Sequence, residues 1–249
     1  MEFNKKREDK RGKNWEKGFS LVESLLSLSL LLLLFLSSLQ FFGFARNSFF
    51  KLKETETARE GALLALEKMK IDILQGGLGL LKALNLGLLR GIEEKNKTLI
   101  ILSKEEDFQL LDNVAPGQTQ IFLDNAKEMK KGREICIFDS KKGEIKGISS
   151  LTGKSITLDS PLSTSFLKEE SRILLLRKIS LFLDEKNQII RRKVNNSSSQ
   201  PLLEEVISFD FSYQEASNII NLCLILKSEK EKKYEISVFP KNMALAFIR

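Results

Sequence analysis

Histidine is absent from this 249-residue sequence. Without an imidazole there is no histidine general base, no Ser-His or Cys-His nucleophile pair, and no histidine-ligated metal. Cysteine is nearly as scarce, with only Cys136 and Cys223 and no CxxC pair, so a thiolate zinc site lacks its ligand set. Both thiols lie in apolar, β-like runs, Glu-Ile-Cys-Ile-Phe and Asn-Leu-Cys-Leu-Ile. Two readings are open for them: small buried core residues, or a disulfide if this part of the chain lies outside the cytoplasm. Also missing is any basic stripe interleaved with aromatics, so the net charge of +7 points to no nucleic-acid partner. Neither a metal nor an organic cofactor is expected.

The charged fraction, 29%, is that of an ordinary soluble protein, so any membrane character must be local. It is local. Residues 1–18 hold seven Lys or Arg and four acidic groups, a balance of +3, which leaves only +4 for the rest. From Phe19 the composition changes to FSLVESLLSLSLLLLLFLSSLQFFGFA, with no charge between Ser24 and Ala45. At ~1.5 Å per residue that charge-free stretch is about 33 Å of helix, enough to cross a bilayer core. The Lys and Arg cluster precedes the apolar run, which predicts a cytoplasmic N-terminus and a C-terminal part on the other side. A cleaved secretory signal would place small residues after its apolar core. Ser37 and Ser38 imitate such a site, but apolar character resumes at Leu39, Phe41, Phe42 and Phe44.

Glu23 does not fit a simple anchor. A carboxylate in a membrane segment costs on the order of 2–3 kcal/mol even on lenient scales, so such groups normally have a partner. No Lys or Arg between Ser20 and Ala45 can supply one. Cutting the chain before Phe19 would create a new amine. The tether within one chain prevents good pairing there, so the counter-charge would come from a neighbouring subunit.

Lys17-Gly18-Phe19-Ser20-Leu21-Val22-Glu23 resembles the signal shared by type IV prepilins and type II secretion pseudopilins. The resemblance implies a prepilin peptidase as partner, cleavage between Gly18 and Phe19, N-methylation of Phe19, and Glu23 neutralising the N-terminal amine of an adjacent subunit. It further implies assembly with other minor pilins or pseudopilins, the major subunit and an inner-membrane platform, after residence in membrane lipid. Glycine at the cut suits an enzyme that must approach the backbone closely.

Ala62, Leu66, Met69 and Ile73 recur at helical spacing among Glu54, Glu60, Glu67, Lys68 and Lys70, so the helix is expected to continue to Gln75 and end at Gly76-Gly77. The expected organisation is a basic leader over 1–18 that is removed, a membrane or filament-core helix over 19–45, its amphipathic continuation over 46–76, and an extracytoplasmic domain over 77–249. In that domain 77–91 reads as a connection with a short helix. Strands are expected at Thr98–Leu102, Gln120–Leu123, Glu134–Phe138, Ser155–Leu158, Arg172–Leu183, Gln188–Val194, Val206–Tyr213, Ile219–Lys227 and Tyr234–Phe239. The expected class is α+β, one long helix against a mainly antiparallel sheet.

The order of Asp72-Ile73-Leu74-Gln75-Gly76, Leu181-Phe182-Leu183-Asp184, Ile190-Arg191-Arg192, Pro201-Leu202-Leu203-Glu204-Glu205-Val206 and Phe209-Asp210-Phe211-Ser212-Tyr213 is similar to that of PilW-like minor pilins and J-type pseudopilins. What this implies is a non-enzymatic subunit that initiates or caps a filament, in a type IV pilus or a secretion pseudopilus. A membrane-anchored extracytoplasmic enzyme or binding domain is the alternative from another class. Gly147 to Ser155 approaches a phosphate-binding loop but has five residues between its glycines where four are needed, and a strand-like Ile156-Thr157-Leu158 follows, so a Gly/Ser-rich hairpin turn is expected. The acidic clusters Glu105-Glu106-Asp107, Glu169-Glu170 and Glu204-Glu205 read as solvated loop charges.

Overall fold

The computed structural model describes residues 20–245. The first element of the described residues is α1 (Leu21–Leu74), and the chain divides into two compact units at Glu54 and Thr55. Neither Gly43 nor Gly61 breaks the helix. Among the described residues of the first unit the leucines and phenylalanines are exposed: Leu25 is 59% and Phe42 67% accessible.

The second unit is α+β. After α1 come α2 (Leu81–Asn85), β1 (Ile92–Lys95), β2 (Thr98–Phe108), β3 (Gln120–Phe122), β4 (Glu134–Phe138), β5 (Gly143–Thr152), β6 (Ser155–Leu158), β7 (Arg172–Asp184), β8 (Ile189–Val194), β9 (Gln200–Leu203), β10 (Val206–Gln214), β11 (Ile219–Leu226), β12 (Lys233–Val238) and α3 (Lys241–Ala244). All the strand pairings are antiparallel and fall into two sheets, one of nine strands and one of three, β10-β11-β12.

β7 is the spine of the larger sheet. β2 pairs with it from Phe108↔Ile173 to Thr98↔Phe182, while its other edge is shared, β4 taking the first part and β8 the last. Because Phe108 and Ile173 are paired, the chain between them leaves and returns at one point. That stretch forms its own core around Phe166, Ile121, Leu123, Ile135 and Ile156.

α1 earns its place by its second half. Ala62, Leu66, Met69 and Ile73 lie at 4% exposure or less in a core with Ile101 and Ile179 of the larger sheet and Leu222 and Leu224 of the smaller. The 4-3-4 spacing puts these side chains on one stripe, as expected. β11 shows the matching period of two: Ile220, Leu222, Leu224 and Leu226 are buried and the residues between them are not. A third, smaller core joins α2 to β2, β4 and β7 through Leu80, Ala83, Leu102 and Cys136.

Turn chemistry fixes the registers. Asn96 and Lys97, at φ +50° and +57°, form the two-residue loop between β1 and β2, the left-handed pair that a type I′ turn needs. Gly153, at φ +61°, opens the two-residue loop between β5 and β6. The phosphate-loop-like run is therefore a hairpin, though most of it is strand β5 where a turn was expected.

Other expectations need correcting. Glu105-Glu106-Asp107 sits within β2 and not in a loop: Glu105 pairs with Arg133, and Asp107 accepts from Lys104 at 2.7 Å. β1, β5, β9 and α3 were not expected, and β2 runs six residues past Leu102.

Candidate functional site

Gly18 and Phe19, the expected cleavage and methylation residues, lie outside the described residues, as does the basic leader. The description begins at the first turn of α1, where Ser20 and Glu23 face each other. The Ser20 N–H donates to Glu23 Oε2 at 3.0 Å, and the Glu23 N–H donates to Ser20 Oγ at 3.3 Å. This reciprocal pair is a capping box, and it satisfies two of the donors that every helix start leaves open. The signal is legible in the sequence as Ser-x-x-Glu before an apolar run, a second role for Glu23 beside its charge. The negative group also sits at the favourable, positive end of the helix dipole.

Beyond this turn the helix is suited to an apolar solvent. Among the described residues it is the one helix long and apolar enough to cross a membrane. Two of its hydroxyls are satisfied internally: Ser29 Oγ donates to the Leu26 carbonyl and Ser38 Oγ to that of Leu34, both at 2.8 Å. Polar groups that close their own hydrogen bonds are those a bilayer tolerates. Charge returns at Arg46, whose guanidinium lies 5.5 Å from the Phe50 ring centroid.

At its other end α1 is tied by polar contacts that the sequence did not announce. Arg192 on β8 donates from Nε to Asp72 Oδ2 at 2.6 Å and from Nη2 to Oδ1 at 3.0 Å. The Asp72 carboxylate raises the pKa of this guanidinium above its ordinary value, against the opposing effect of burial. Gly77 N–H donates to the Leu102 carbonyl at 2.8 Å, and Asn242 Nδ2 donates to that of Leu74 at 2.9 Å. Asp72 and Arg192 were both singled out in sequence, but as parts of separate segments.

The two cysteines are free. Cys136 is wholly buried on β4 in the third core, and burial pushes its thiol up to about 12. Cys223 is half-buried on β11, in the other sheet. Its thiol is raised by burial and then by the neighbouring Glu235 carboxylate. The structure forms no disulfide between them, and the reading as small packed residues describes Cys136 well.

No family model matches this sequence, and no curated protein matches it. Among solved structures, partial likenesses occur to three phage tailspikes. The Gp54 tailspike of Acinetobacter baumannii bacteriophage AP22 shows 16% identity and a TM-score of 0.28 over 31% of this chain and 15% of that one. Tailspike gp61 of Pseudomonas phage phi297 shows 16% identity and 0.26 over 29% and 14%. Tailspike gp49 of Pseudomonas phage LKA1 shows 15% and 0.27 over 30% and 14%. The chain thus spans no more than 15% of the length of these proteins, and overlaps of this size define neither a common fold nor a role.

Proposed function

We propose that the chain is a pilin-like structural subunit, anchored by α1 in the inner membrane with its β-rich domain outside the cytoplasm. Prepilin peptidase removes the leader after Gly18, Phe19 becomes the methylated N-terminus, and the mature helix packs into a filament with other subunits. The observation that carries this reading is the uncovered, charge-free stretch Ser24 to Ala45, preceded directly by the single carboxylate of Glu23 and, earlier in the sequence, by Lys17-Gly18-Phe19. Such a helix needs a bilayer, and on leaving it needs other apolar helices. The subunit is a minor one that initiates or caps a type IV pilus. The type II secretion pseudopilus is the alternative machine, and an anchored enzyme or binding domain is the alternative class.

The capping box supplies the experiment. Glutamine at position 23 keeps the box but removes the charge, alanine removes both, and Ser20→Ala removes half the box while leaving the charge. If Glu23 neutralises a neighbour's amine, Glu23→Gln and Glu23→Ala both abolish recovery of the subunit in sheared filaments, and Ser20→Ala is recovered. Recovery of Glu23→Gln at the wild-type level would mean that Glu23 serves only its own helix.

A further inference from the structure

The shared edge of β7 leaves a gap. β4 pairs with residues up to Leu175 and β8 from Ile179 onward, so Leu176 to Lys178 face neither strand. Backbone groups at such a fork need other partners, and side chains provide them. Arg133 Nη2 donates to the Leu176 carbonyl at 2.8 Å, and the Lys178 N–H donates to Asn195 Oδ1 at 2.8 Å. The Asn195 N–H in turn donates to the Lys178 carbonyl at 2.7 Å.

The fork borders a half-open cavity of about 130 Å³, lined by Arg133, Glu134, Lys178, Lys193, Asn195 and Asn196 among others. Three cations meet one carboxylate there. Glu134 Oε1 lies 3.5 Å from Lys178 Nζ, and Glu105, which is not part of the lining, takes one side of the Arg133 guanidinium. Arg133 is only 8% exposed, and its Nε–H is buried with no acceptor. Lys193 is exposed and has no ion-pair partner among the described residues. Asn196 Nδ2 donates to the Gly132 carbonyl and closes one wall.

We propose that this fork binds one oxyanionic group. The Arg133 side chain, two lysines and side-chain amides line the fork as a donor set for carboxylate, sulfate or phosphate oxygens, where charge-assisted bonds are strongest. A cavity of roughly 150 Å³ holds benzene, so this one takes about four to six non-hydrogen atoms, the size of a single such group and not of a sugar ring. The group is either a free inorganic anion or the acidic end of a larger molecule that reaches in. The site is on the β domain and does not depend on the assembly reading.

The test uses the full chain in detergent micelles, labelled with nitrogen-15, titrated separately with sodium acetate, sulfate and phosphate at constant ionic strength set with chloride. The expected result is saturable shifts of the Asn195 and Asn196 side-chain signals with at least one anion. Lys193→Gln, at an exposed position, should weaken binding roughly threefold, and Arg133→Lys roughly tenfold, with unrelated resonances unmoved. Saturation by acetate alone identifies the acidic end of a peptide or sugar, and saturation by sulfate or phosphate identifies a tetrahedral anion. The proposal is overturned if no anion saturates, or if both variants bind as tightly as wild type.

Discussion

Replacing Arg192 by alanine should strip the end of α1 of the partner that makes it tolerable. Asp72 is 1% exposed and lies in the last turn of the helix, which contains no basic residue. There the macrodipole is negative and disfavours a carboxylate. Only the two-point grip from Arg192, at 2.6 and 3.0 Å, offsets both penalties. Removing one partner of a buried ion pair costs roughly 3–5 kcal/mol, because the other charge stays behind. For a unit of this size each kcal/mol lowers the melting temperature by roughly 2–4 °C, so a loss of about 6–20 °C is expected. Replacing both residues with Leu and Met should recover most of that loss, since well-packed apolar pairs substitute for buried ion pairs with little penalty. The assay is thermal unfolding of the full chain in micelles, followed by the β-sheet signal, on the two single alanine variants and their double. Coupling above about 1 kcal/mol in that cycle is predicted. Additive single effects, or a loss below about 1 kcal/mol for Arg192→Ala, would refute the argument.

Three further outcomes follow from the second unit. Burial pushes the Glu144 carboxyl up, but donation from the Ser163 N–H, the Thr164 hydroxyl and N–H, and Lys146 outweighs it, so its pKa lies below the ordinary value of 4.5. A depressed carboxylate adds stability above that value and loses it as pH falls through the folded-state pKa. Urea midpoints measured from about pH 6 to about pH 3 should therefore fall more steeply for wild type than for Glu144→Gln; parallel curves would contradict the assignment. Native alkylation should modify Cys223 slowly and leave Cys136 unmodified until unfolding, with two thiols counted in denaturant; a count of zero would mean a disulfide. Gly91→Ala should cost roughly 1–3 kcal/mol in chemical denaturation, since its Cβ would run into Met243 Sδ and lie 2.9 Å from the Gly77 Cα.

The sequence was most informative where one period ruled a long stretch. The stripe Ala62, Leu66, Met69 and Ile73 gave the buried face of α1, and Gly76-Gly77 gave its end. β7, with its long apolar run, and β11, buried at every second residue, were legible as strands. β5 was not, because Gly143 to Thr152 is rich in charge, glycine and serine, and it is a strand only because β4 and β6 pair with it. β9 begins Gln200-Pro201, and the acidic end of β2 depends on Arg133 and β7 for its place. Such segments take their conformation from distant partners, which local propensity does not encode. Of the candidate site, both the charge of Glu23 and its cap are legible, the cap as Ser20-x-x-Glu23, and only the charge entered the sequence reading. The Asp72–Arg192 grip joins residues 120 apart and left no local signal.

The central claim is tested most directly by the mass of the mature chain after co-expression with a prepilin peptidase, for wild type and Gly18→Ala. The account predicts that wild type begins at an N-methylated Phe19 and that Gly18→Ala retains its leader. A wild-type chain that keeps residues 1–18, or is cut after Ser38, would contradict it and leave an anchored or secreted β-rich domain in place of a filament subunit.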